Sequence, residues 1–148
     1  MASSQPCSLD PAADAANAEK CVLIVEDNPL NMKLFAAMIE ARGYRGLHAT
    51  EGLQGLDLAH REHPDLIVMD VRLPDISGLE VTHRLKADDN TRDIPIIVTT
   101  ADEASAQEGR IRASGCDGFI AKPIIIAEFL KLVELFITRP VAVPEGVD

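Results

Sequence analysis

Four short apolar runs in this chain each stop at a residue able to handle a phosphoryl group, and they constrain the fold more than any other feature. Cys21-Val22-Leu23-Ile24-Val25 runs into Glu26-Asp27, and Leu66-Ile67-Val68-Met69 runs into Asp70. Ile94-Pro95-Ile96-Ile97-Val98 leads to Thr99-Thr100, and Gly118-Phe119-Ile120-Ala121 to Lys122-Pro123. Continuous runs of this length, as opposed to alternating ones, read as strands covered on both faces, the habit of a parallel sheet. Open α/β sheets bind ligands just beyond the carboxyl ends of their strands. Parallel strands would therefore bring three carboxylates, a hydroxyl and an ammonium to one edge.

Helical segments separate these runs. Asn28 reads as an N-cap with Pro29 at the first helical position. Leu30, Leu34, Met38 and Ala41 then recur at helical spacing until Gly43 stops the helix. A strand of weak pattern follows at Arg45 to Ala49. A second helix, Gly52 to Glu62, is expected to bury Leu53, Leu56 and Ala59 and to close at Pro64. Beyond the loop Val71 to Ser77, a third helix turns Leu79 and Leu85 inward. The fourth, Glu103 to Ser114, offers Ile111 and several alanines but no broad apolar stripe, which predicts weak packing. The fifth, Ile126 to Thr138, places Ile126, Phe129, Leu130, Val133 and Ile137 on one face.

Five strand–helix repeats predict an α/β fold. The arrangement expected is flavodoxin-like: a doubly wound, five-stranded parallel sheet of order 2-1-3-4-5 with five helices. That order sets the first and third strands side by side, so Glu26, Asp27 and Asp70 meet. Residues 1–19 and 139–148 read as flexible tails around a domain at 20–138, with a short helix feasible near Ala12 to Ala18.

Charge narrows the partners. Fourteen Lys plus Arg against 24 Asp plus Glu leave a formal net charge of -10, which disfavours nucleic acid and anionic membrane surfaces. No run is long enough to span a membrane, and the N-terminus lacks a basic and an apolar signal region. Cys7, Cys21 and Cys116 have no metal-ligand spacing and read as reduced thiols of a cytoplasmic protein. His60 and His63 flank Glu62 near a helix end and read as solvated surface; His48 and His83 have no evident partner.

Taken together, Glu26-Asp27, Asp70, Pro74, Gly78, Thr100-Ala101 and Lys122-Pro123 make Lys20 to Leu135 resemble a receiver domain of two-component response regulators. Val22 to Leu34 and Leu73 to Thr82 are most similar to the DivK-type cell-cycle regulators. The resemblance implies a CheY-like fold with Asp70 as phosphoacceptor, taking a phosphoryl group from the phosphohistidine of a sensor histidine kinase or a histidine phosphotransferase. It implies Mg²⁺ held directly by Asp27 and Asp70, through a water by Glu26, and by the backbone carbonyl of Arg72. Octahedral oxygen coordination with retained waters is the ordinary chemistry of that ion. Lys122 is implied as the charge partner of the phosphoryl oxygens, with a cis bond to Pro123, and Ala101 as the small residue that keeps Asp70 accessible. Thr100 and Phe119 are implied as the switch that biases a surface of the fourth helix, fifth strand and fifth helix. Only one of Thr99 and Thr100 is expected to face the site, and spacing to Lys122 favours Thr100. Phe119 stands where many receivers have Tyr, which removes any readout through a hydroxyl. Arg72 and Asp102 flank the phosphoryl position and could pair across it to shield the acyl phosphate.

The function so implied is a stand-alone response regulator acting on downstream proteins, as a monomer or weak dimer, with a motility adaptor or a phosphorelay intermediate as alternatives. A turnover enzyme is not expected beyond self-phosphorylation and slow dephosphorylation. A haloacid-dehalogenase-type phosphohydrolase also uses a strand-end Asp but needs an acid two residues later, where this chain has Arg72. No G-x-x-x-x-G-K-[ST] or G-x-G-x-x-G stretch follows a strand, which argues against nucleotide binding. Taken alone, Glu26-Asp27 would be no more than acids at a helix N-terminus, where the dipole favours them.

Overall fold

The computed structural model describes residues 20–101 and 104–137, with the side chains of 104–107 left aside. The expected tails at 1–19 and 139–148, Asp102, the helix start at Glu103 and Thr138 lie outside the described residues. The elements are β1 (Cys21–Val25), α1 (Pro29–Glu40), β2 (Arg45–Ala49), α2 (Gly52–Glu62), β3 (Leu66–Asp70), α3 (Gly78–Ala87), β4 (Ile96–Thr100), α4 (Ala104–Ala113), β5 (Gly118–Ala121) and α5 (Ile126–Ile137). Every strand pair is parallel and the sheet order is β2-β1-β3-β4-β5, as the strand–helix alternation predicts.

The continuous apolar runs fill two cores because side chains alternate across the sheet. Val22, Ile24, Val68 and Ile97 meet Phe35 and Ile39 of α1 and Phe129, Val133 and Ile137 of α5. Leu23, Val25, Ile67, Met69 and Val98 meet Ala59 of α2, Leu79 and Leu85 of α3, and Ile111 of α4. The edge strand β2 is only partly covered, which is why its pattern is weak in the sequence. Among the described side chains of α4 only Ile111 is buried, in line with the weak packing expected there.

Three helix faces differ from expectation. In α1, Leu30 is 75% exposed and Leu34 and Ala41 also face outward, while Phe35, Ala36, Met38 and Ile39 are buried. The segment carries two apolar stripes, and the bulkier one containing Phe35 and Ile39 takes the sheet. In α2, Leu53 is exposed, and Gly52, Gly55 and Ala59 form the buried edge with Leu56 and Leu58 half-buried. The helix lies so close to β1 that a Cβ at Gly55 would come within 2.7 Å of a Val25 methyl. In α5, Ile126 is exposed and Leu130 only partly covered, so Phe129, Val133 and Ile137 hold the helix. The end of α2 also differs in detail: His63, with a left-handed φ of 49°, caps it before Pro64.

Candidate functional site

Parallel strands deliver their last residues to one edge, and there Glu26, Asp70 and Lys122 meet. Glu26 follows β1 and is 1% exposed; Asp70 ends β3 and is 5% exposed. Lys122, just past β5, places Nζ 3.2 Å from Glu26 Oε1 and 3.3 Å from Asp70 Oδ1. They line a cleft of about 330 Å³ together with Asp27, Arg72 and Ala101. The Lys122–Pro123 peptide bond is cis.

Local structure explains why each group stands where it does. The Glu26 amide bonds the Ala49 carbonyl, tying the end of β1 to β2. Asn28 caps α1, its Oδ1 accepting from the amides of Leu30 and Asn31, while its own amide donates to Glu26 Oε2 at 3.1 Å. Behind Asp70 the chain doubles back: Gly78 N donates to the Val71 carbonyl at 2.9 Å. A Cβ at Gly78 would overlap the Asp70 carbonyl, so glycine is the residue this approach permits. Asp75, in the same loop, accepts from the amides of Gly52 at 2.7 Å and Leu53 at 2.8 Å, capping α2. Those bonds, that of Leu53 first, hold the Asp75 carboxyl below its ordinary pKa.

Electrostatically the cluster is under-neutralised, with three carboxylates facing one ammonium. Burial, and then the negative charge of Glu26, push the Asp70 pKa up to about 6, with Lys122 acting in the opposite direction. One oxygen each from Glu26, Asp27 and Asp70 lie within 4.8 Å of one another. Asp27 is exposed whereas its two partners are buried, so the set opens toward solvent on one side. Hard oxygen donors, excess negative charge and an open side are what a small divalent cation requires.

The threonine pair divides across the sheet. Asp70 is registered with Thr99, and partners in a parallel ladder point to the same face. Thr99 thus shares the face of Asp70, while Thr100 follows Val98 on the face of Phe119, the register partner of Val98. Both threonines are buried. Phe119 is half-buried against the second core, and the Arg112 guanidinium lies 5.6 Å from its ring centroid. Arg72 and Ala101 line the cleft, but the suggested Arg72–Asp102 pair cannot be placed because Asp102 lies outside the described residues. Sequence reasoning missed the Lys122–Glu26 ion pair, the Asp75 cap, and Asn31 and Leu73 in the cleft wall. Asp75 alone had a local signal, an acid in a turn beside a Pro.

The remaining titratable groups sit elsewhere. His60 is exposed, as expected, and also ties α2 to the end of α3: Nε2 lies 2.8 Å from Asp88 Oδ2, and its pKa rises chiefly through that bond. Cys21 is buried, and burial pushes the half-buried Cys116 thiol up, away from nucleophilic behaviour. Among the described residues no helix is long and apolar enough to cross a membrane.

Comparison with known proteins agrees with this geometry. The response regulator receiver domain family matches residues 22–134. The polar-differentiation response regulator DivK of Brucella ovis is 50% identical over 118 residues, 80% of this chain and 96% of that protein. Among solved structures, the receiver domain of a sensor histidine kinase from Pseudomonas aeruginosa PAO1 has a TM-score of 0.76 at 33% identity, covering 81% of this chain and 98% of that one. That structure holds a magnesium ion coordinated in its active site cleft. The signal receiver domain of a histidine kinase from Syntrophus aciditrophicus has a TM-score of 0.78 at 28% identity, covering 87% and 97% of the two chains.

Proposed function

The chain belongs to the response regulator receiver domain family, and we propose that it is a phosphoryl-operated switch with Asp70 as acceptor. The observation that carries this reading is the buried Asp70 carboxylate at the end of β3, 3.3 Å from the Lys122 ammonium and beside two further carboxylates. In transfer, a carboxylate oxygen of Asp70 attacks the phosphorus of a phosphohistidine on a sensor kinase or histidine phosphotransferase. The P–O bond forms as the P–N bond breaks, and the imidazole nitrogen keeps the bonding pair. With a pKa of about 6, Asp70 is largely ionised at neutral pH and available as nucleophile. Lys122 offsets the charge gathering on the phosphoryl oxygens, the main requirement of phosphoryl transfer.

Glu26, Asp27 and Asp70, with the backbone carbonyl of Arg72, are the groups that would hold Mg²⁺, which when bound supplies further charge neutralisation. Ala101 leaves the approach to Asp70 open, and Arg72 with Asp102 would shield the acyl phosphate from water. Self-phosphorylation and slow dephosphorylation are then properties of the site, not of a turnover enzyme.

The readout proceeds through Thr100 and Phe119, which share one face of β4–β5. The Thr100 hydroxyl turns toward the phosphoryl group, Phe119 fills the space released, and the α4–β5–α5 surface changes its affinity for protein partners. Among the described side chains of α4 only Ile111 is buried, which suits an element that must shift. The likeness to DivK supports a cytoplasmic regulator of kinases in a polar-differentiation or cell-cycle pathway, acting as a monomer or weak dimer through residues 20–138. The test is incubation of the full chain with Mg²⁺ and acetyl phosphate, followed by intact mass. A hydroxylamine-labile adduct of one phosphoryl group is expected, absent from Asp70→Asn and from a magnesium-free control; an adduct that survives in Asp70→Asn would refute the assignment.

A further inference from the structure

Thr99 carries the one buried side-chain polar atom without a hydrogen-bond partner among the described residues. An unpaired buried hydroxyl weakens a fold, and a valine of the same shape would remove the penalty. A hydroxyl that is orphaned in one state calls for a partner in another, and the topology supplies candidates. Thr99 is registered with Asp70 on one side and Ile120 on the other. For its ammonium to reach Asp70 on β3 from the end of β5, the Lys122 side chain has to pass β4. The last β4 residue on that face is Thr99.

The chemistry is complementary. A hydroxyl both donates and accepts; an ammonium only donates, and an ionised carboxylate only accepts. In the structure described here Lys122 is committed to Glu26 and Asp70. Once the carboxylates are engaged by a divalent cation, those oxygens attract the ammonium less, and like charge pushes it away from the cation. A neutral acceptor at Thr99 then becomes the better partner.

We propose that Thr99 is a positioning residue of the phosphoacceptor site: in the loaded state its hydroxyl accepts from the Lys122 ammonium and donates to the Asp70 carboxylate. The bridge holds Lys122 beside the acceptor for the incoming phosphoryl oxygens. This rests on the reading of Asp70 as acceptor.

Thr99→Val and Thr99→Ser in the full chain test it. The metal-free Val variant should melt no lower than the parent, because the orphaned hydroxyl is gone. It should bind Mg²⁺ several-fold more weakly by calorimetry and take phosphoryl from acetyl phosphate about tenfold more slowly, the equivalent of one charge-assisted hydrogen bond. Thr99→Ser should restore both. A Val variant that matches the parent in Mg²⁺ affinity and rate overturns the proposal, as does one that melts lower without metal, since Thr99 would then be structural. Adduct formation in Asp70→Asn, run alongside, overturns the acceptor reading instead.

Discussion

Each end of the sheet holds a lysine paired with an aspartate, and the two pairs are built to different standards. At the amino end Lys86 Nζ has three acceptors: Asp117 Oδ2 at 2.8 Å, the Ile94 carbonyl at 2.8 Å and the Arg92 carbonyl at 3.1 Å. Asp117 Oδ2 also accepts from the Ile96 amide at 2.8 Å, and Asp65 does the same for the Cys21 amide, so the first amides of β4 and β1 are satisfied. At the carboxyl end Lys122 is divided between two carboxylates at longer range, with a third nearby and a buried threonine hydroxyl unpaired. Charge at the amino end is balanced by partners within the fold. Charge at the carboxyl end is left for something outside it, which is the mark of a binding site on an otherwise stable scaffold.

Exchanging the two lysines in turn is the strongest way to break this contrast. Lys122→Met should slow acetyl phosphate labelling at least a hundredfold, and it too should lower the urea midpoint, because Glu26 and Asp70 are left buried without their ammonium. Lys86→Met should leave labelling intact and lower stability by about 2 kcal/mol, the penalty of stranding one member of a largely covered ion pair. Similar effects of both substitutions on both measurements would dissolve the distinction.

The aspartates sharpen it through pH. The folded-state pKa of Asp70, about 6, lies above its ordinary 3.8, so its contribution to stability is full below the lower value and lost as pH rises through the higher one. In EDTA, Asp70→Asn should therefore melt higher than the parent at pH 8, by about 1 kcal/mol once solvent screening is allowed for, and the gain should shrink toward pH 4. Added Mg²⁺ should raise the parent's melting temperature and not that of the variant. A parent whose stability in EDTA does not respond to Asp70→Asn at pH 8 would mean the site is not under-neutralised.

The smallest effect belongs to the flank. The His60 pKa is raised by Asp88, so the pair stabilises the fold below the ordinary value of 6.5, and that contribution fades as pH rises through the folded value. His60→Asn should produce a slight fall in the thermal midpoint at pH 6 and almost none at pH 9, with labelling unchanged.

Much of this could be read along the chain, because the signals are local. Continuous apolar runs identified β1, β3, β4 and β5 within a residue or two, and Asn28-Pro29 marked the start of α1 through its own capping chemistry. The phase of α1 could not be read. Two apolar stripes compete in it, and only the sheet surface selects Phe35 and Ile39 over Leu30 and Leu34. In α2 Leu53 misled while Ala59 and, in part, Leu56 turn inward as expected, because small residues are what a close approach to β1 admits.

At the site the division has the same origin. The sequence alone placed polar residues at the ends of buried runs, and parallel pairing carries such residues to one edge whatever the loops between them do. Only the tertiary structure decided that Lys122 spans to Glu26, 96 residues away, that burial raises Asp70, and that Thr99 shares its face while Thr100 faces the side of Phe119. Those features depend on distances and on excluded water between strands far apart in the chain, and neither quantity is written in any one stretch of it.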